Sequence, residues 1–195
     1  MHDDLDPAKG MTGPAPRDDR RLEVWMRGPL PGVPPLLQPV AHSLSECLEE
    51  VQMKAADATP AELWTEYGGA ASAGFHLRHA AGSLDRLFTY ARGERLSADQ
   101  LRRLGAEREP DLAPGAAQRL IDAFAAQVDR SLAQVRGTDE TTLLEGRAIG
   151  RAQLPSTVIG LLFHGAEHTQ RHIGQFETPL RLLRVFSRDA PPRSS

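Results

Sequence analysis

Apolar residues recur at helical rather than strand spacing along most of the chain. From Leu36 to about Ala56, Leu37, Val40, Leu44, Cys47, Leu48 and Val51 mark one face, with Glu49, Glu50 and Lys54 on the other. This is the three-and-four alternation of an amphipathic helix. Pro39 fits because it lies in the first turn, where no backbone N–H is needed. Thr59, Pro60 and Glu62 read as a capping box with proline at the first position, opening a short helix that carries Trp64; Tyr67, Gly68 and Gly69 break it. A second long helix is predicted from about Ser72 to Arg92, with Phe75, His79, Leu84, Leu87, Phe88 and Ala91 at its apolar or semi-apolar positions and Gly93 at its end. Ser97 with Gln100 caps another short helix to about Leu104, and residues 107–115 read as a loop. A third long helix begins near Pro114 or Gly115 and carries Leu120, Ile121, Phe124, Val128, Leu132 and Val135 as far as Gly137.

Residues 138–154 are too interrupted by glycine for a helix and read as a packed irregular segment. A further helix opens at Pro155 or Ser156 and closes near residues 174–176, and residues 179–187 form a last amphipathic helix. Four long helices with short satellites and hardly any period-two alternation predict an all-α, antiparallel four-helix bundle. Residues 1–23 lack apolar periodicity and read as a flexible leader, residues 24–188 as a single helical domain, and residues 189–195 as a flexible tail.

Composition narrows the function more than the fold. With 23 Lys+Arg against 26 Asp+Glu the net charge is −3, so no global basic field invites nucleic acid. Cys47 is the only cysteine. It excludes an internal disulfide framework and a Cys-based zinc site, and fits a reducing compartment. The opening MHDDLDPAKG lacks the basic start and apolar core of a signal peptide. No apolar run approaches the roughly 20 residues of a membrane span, so a cytoplasmic protein without membrane contact is expected.

The candidate chemistry lies in the histidines. Five of the seven fall on two predicted helices, His76 and His79 on the second and His164, His168 and His172 on the fourth. Steps of four leave the last three imidazoles within a sector of roughly 80°, shared with Leu161 and Gln175. An i, i+4 pair with Cβ atoms about 6 Å apart suits two imidazoles closing on one ion, so two ligands from this helix and one from elsewhere are expected. Neutral imidazoles favour Zn, Ni, Cu or Fe, and three protein ligands leave a position for water or substrate. His2 and His42 lie off these faces and read as solvated. HGAEH at 164–168 matches the inverted zinc-protease pattern, yet no distal carboxylate or substrate-binding strand accompanies it, so Glu167 is expected in a capping, ion-pair or histidine-orienting role. There is no G-x-S-x-G elbow and no glycine-rich phosphate loop. Arg147 and Arg151 can bind an anionic group, but solvated charges are the stronger reading.

The segments FHLRHAAGSLDRLFTYARGE (75–94) and LPSTVIGLLFHGAEHTQRHIGQ (154–175) resemble the DinB/YfiT-like family of metal-binding helical bundles. The resemblance covers Trp25 to about Ser187. It implies a four-helix bundle with long crossovers and a divalent ion, zinc or nickel, on three histidines, which fall on His79, His168 and His172. Where the family often has HHRGQ, this chain reads RHIGQ and keeps His172. The resemblance further implies a metal-dependent transferase that activates a low-molecular-weight thiol toward an electrophile. Glu167 and Gln175 are then the candidate catalytic residues, and His164 lies in the pocket wall. A metal-stabilised, noncatalytic stress-response module or a metal-dependent hydrolase are the alternatives. Long amphipathic helices also make a homodimer plausible.

Overall fold

A computed structural model describes residues 22–189, so residues 1–21 and 190–195 of the expected leader and tail, and His2, fall outside it. Six helices follow one another as α1 (Gln38–Ala55), α2 (Pro60–Trp64), α3 (Ala73–Ala91), α4 (Ala98–Gly105), α5 (Ala116–Arg136) and α6 (Val158–Asp189). Their starts follow local chemistry. Thr59 Oγ1 accepts from the Glu62 backbone N–H at 3.2 Å while Glu62 Oε2 accepts from the Thr59 N–H at 2.8 Å, closing the capping box. Ser97 and Gln100 repeat the device for α4, and the Ser72 hydroxyl caps α3 by accepting from Phe75 N at 3.2 Å.

The four long helices bury one common core, in which Phe88 (α3), Phe124 (α5) and Phe176 (α6) are fully enclosed. α6 packs against α3 and α1, and α5 against the same two, so the cyclic order is α1, α6, α3, α5. Direction follows from the contacts. Ser43 meets Gln170 and Lys54 meets Glu177, so α1 and α6 run the same way. His79 meets His168 and His76 meets His172, so α3 runs against α6. The bundle therefore departs from simple antiparallel alternation, as the long crossovers implied by the resemblance require. α3 and α5 also run the same way, since Gln134 near the end of α5 donates to the Phe88 carbonyl near the end of α3, so the connection at 92–115, which carries α4, crosses the length of the bundle.

The segment expected to be irregular is ordered. Residues Gly146–Ile149 (β1) and Leu154–Thr157 (β2) pair antiparallel, with Gly146 opposite Thr157 and Ile149 opposite Leu154. Gly150, at φ 64°, supplies the left-handed turn between them, so a glycine that spoils a helix pattern here makes a hairpin. Pro155 is tolerated because a two-stranded ribbon is all edge. Its place in β2 moves the start of α6 to Val158. The hairpin then serves two helices. Glu145 and Leu143 carbonyls accept from the N–H groups of Val158 (3.1 Å) and Ile159 (2.9 Å) at the start of α6. Arg147 Nε donates to the Ala91 carbonyl at 2.8 Å at the end of α3.

Nor does the histidine helix close at residues 174–176. It continues through Pro179 to Asp189 as one helix, because Ile173, Phe176 and Leu180 keep a single buried stripe running past the proline. The cost of one lost backbone bond is offset by burying that stripe. Among the described residues no helix is long and apolar enough to cross a membrane.

Candidate metal centre

The close approach of α3 and α6 sets the site. Gly165 faces the ring of Phe88 so tightly that a Cβ there would lie 2.9 Å from the ring edge. That contact draws the helices together one turn from the histidines. His79 Nε2 lies 3.1 Å from His168 Nε2, and His79, His168 and His172 each offer a nitrogen, all within 4.8 Å of one another. Two nitrogens bound to one tetrahedral zinc at 2.0–2.1 Å stand about 3.3 Å apart, so the observed spacing fits shared coordination. His168 Nδ1 is buried with no hydrogen-bond partner, which leaves Nε2, the atom facing His79, as the ring's polar outlet.

Electrostatics favour the ligand form of these rings. Burial, helped by the neighbouring histidines, holds His168 below the ordinary histidine range and pushes His172 down to about 3. Near neutral pH both offer lone pairs rather than positive charge, as metal ligation requires.

Glu107 is the functional residue the sequence does not announce. Although it lies in the segment read as a loop, its carboxylate is buried. Glu107 Oε2 accepts from His79 Nδ1 at 2.7 Å and Oε1 from Arg86 Nη1 at 2.7 Å. Burial pushes the Glu107 carboxyl up, but the bonds from His79 and Arg86 more than offset it and hold it below the usual range. Taking the Nδ1 proton fixes the His79 tautomer and turns the Nε2 lone pair toward the other two histidines. Room for this comes from Gly82, one turn beyond His79, where a Cβ would lie 2.6 Å from Glu107 Oε1. A glycine in mid-helix, costing about 1 kcal/mol of propensity, is the one sequence cue to the slot.

The other candidates line the rim. His76 Nδ1 approaches His172 Nδ1 at 3.0 Å, so it flanks the set of three nitrogens without belonging to it. His164 is exposed, 5.4 Å from the His168 ring, and its Nδ1 lies 3.2 Å from Glu167 Oε2. Glu167 also pairs with Arg171. Gln175 is exposed, three residues beyond His172. Phe75 stacks on His79 at 5.5 Å, and the exposed Arg108 lies 4.5 Å over the Phe75 ring. Two residues are removed from candidacy. The Cys47 thiol is pushed up to about 12 by burial and stays protonated, and Arg147 is committed to Ala91, Gly146 and Glu145 in the hairpin clasp.

No curated relative matches the chain. The DinB superfamily matches residues 43–176, from early α1 through the histidine-bearing part of α6. With its all-α bundle and three histidines brought together from the helices that carry the resemblance, the chain belongs to the DinB superfamily.

Proposed function

We propose that this protein holds a divalent ion, zinc or nickel, on His79, His168 and His172, and there transfers a low-molecular-weight thiol to an electrophile. The observation that carries the reading is the meeting of three nitrogens from two helices within 4.8 Å. Three protein ligands leave a tetrahedral ion one position for an outside ligand. An ion so held would lower the pKa of a bound thiol, or of water in a hydrolytic variant of the reading, and present it as a nucleophile.

The remaining roles belong to the chain. Glu107 keeps His79 aimed. Phe75 walls the site beside His79, and Arg108 above it supplies a cation for an anionic group on the thiol or its acceptor. His164 with Glu167 stands beside His168 and carries the released proton toward solvent. Gln175 offers an amide to the substrate one turn past His172. A second reading, a noncatalytic stress-response module in which the ion only staples α3 to α6, is favoured by the cluster's half-buried place between those helices.

Metal analysis of protein purified without a polyhistidine tag tests the common premise. Wild type is expected to carry close to one ion per chain and the His168→Ala/His172→Ala variant almost none; equal, low metal in both sinks it. Metal-dependent consumption of cellular thiols with a generic electrophile then separates the readings. Turnover abolished by chelation supports the transferase, and no turnover across several thiols leaves the staple.

A further inference from the structure

On the far side of Glu107 from the histidines, α3 and α5 part around a solvent-open cavity of about 540 Å³. That is within the range of small-molecule sites. Its floor is apolar and low, with Ala81 and Gly82 from α3 and Leu120, Ala123 and Ala126 from α5. The glycine and the three alanines leave the helices' facing surfaces unfilled where ordinary bundle packing would place larger side chains.

The walls are strongly cationic. Arg78, Arg86, Arg103, Arg119 and Arg130 all line the cavity. Three carboxylates accompany them, but each is already engaged: Glu107 with His79 and Arg86, Asp111 with Arg119, Asp85 with Gln100. Arg103 is paired with Asp99 as well, so the local balance is one positive charge in excess, against a net −3 for the whole chain. Two of the arginines have neutral hydrogen-bond acceptors. Arg130 donates to the amide oxygen of the buried Gln127 at 2.6 Å, and Arg78 to the backbone carbonyls of Ala106 (3.0 Å) and Glu109.

We infer that this cavity binds a small amphipathic anion, an apolar body carrying a carboxylate or phosphate head. The body lies on the alanine floor and the head pairs with Arg130 and Arg78, which bring charge that the protein does not neutralise by a direct carboxylate bond. A planar guanidinium is suited to either head, since both present two oxygens to its fork. The site is separate from the three histidines and holds whether or not they bind an ion.

The test is calorimetric titration of the full chain, once treated with EDTA and once zinc-loaded, with decanoate, decyl phosphate and the uncharged decanol. One of the two anions is expected to bind with one-to-one stoichiometry in both preparations, and the tighter of them identifies the head. Decanol is expected to bind at least tenfold more weakly. Arg130→Ala should weaken the anion at least tenfold, and Ala126→Trp, on an exposed position that fills the cavity without touching the core, should abolish binding while leaving the thermal melt unchanged. Decanol binding as tightly as the anions, an unaffected Ala126→Trp variant, or no binding of either anion overturns the inference. Metal content does not enter any of these outcomes, so failure of the metal reading and failure of this one are told apart.

Discussion

Replacing Gly82 by alanine adds one methyl group to α3, alters no charge and touches no histidine, yet it should loosen the metal. The new Cβ would sit 2.6 Å from Glu107 Oε1 and 2.8 Å from Arg86 Nη1. Ordinary contact begins near 3.4 Å, so the carboxylate must retreat by about 0.8 Å. Its bond to His79 Nδ1 is now 2.7 Å, and a retreat of that size carries it to the limit of a hydrogen bond. Losing such an orienting partner typically costs 10–100-fold in metal affinity, about 1.4–2.7 kcal/mol. Meanwhile alanine gains about 1 kcal/mol of helix propensity over glycine, which opposes the loss of the buried Glu107 contacts in the apo protein. The expected signature is therefore a split, with zinc affinity falling at least tenfold while the apo melting temperature moves little. Competition against a chromophoric chelator at pH 7 measures the first and thermal denaturation in EDTA the second. Zinc affinity within threefold of wild type would refute the positioning role of Glu107.

Three further outcomes follow from the same geometry. His76→Ala should keep zinc affinity within a few fold of wild type in the chelator assay, whereas His79→Ala should lose it, because only His79 belongs to the three-nitrogen set; the reverse pattern would reassign the α3 ligand. In the apo protein, the His172 pKa of about 3 lies below that of an unfolded histidine. The unfolded chain then binds the extra proton between those values, so stability is full above about pH 6.5 and declines as pH falls toward 3. Urea denaturation in EDTA at pH 7 and pH 5 measures this, and a flat profile would contradict it. Gly165→Ala, which drives a methyl into the Phe88 ring edge at 2.9 Å and toward Leu84, should cost about 1–3 kcal/mol by overpacking in the same assay, and an unchanged midpoint would show that the helices can part freely.

The long helices were legible because each must bury one face, which writes a period into the sequence. Stripes such as Ile121, Phe124, Val128 and Leu132 record that requirement directly. The caps at Thr59 and Ser97 were legible because a helix start has a fixed local chemistry. The hairpin at 146–157 escaped notice because a two-stranded ribbon on the surface buries little and so carries no clear alternation. Pro179 misled for a related reason, since the burial that carries α6 through it is a property of the packed bundle. At the site, the stripe of His164, His168 and His172 was legible from its spacing on one helix, whereas the choice of His168 and His172 from it, and of His79 on α3, came from the family resemblance. Glu107 was not. It reaches His79 from outside any periodic element, 28 residues along the chain, and nothing local in a loop reports which distant side chain it will meet.

His79 and His168 are separated by 89 residues, with the rest of α3, all of α4 and α5 and the hairpin between them. A chain interrupted anywhere between α3 and α6 has His76 and His79 but no partner for them, so it cannot assemble the set. On the proposed reading, metal uptake would in this sense be the last event of folding, conditional on the final helix docking beside the third. The dependence would also run backwards: peeling α6 away would release a bound ion before the rest of the bundle need lose its shape. Metal content would then report on whether α3 and α6 have met.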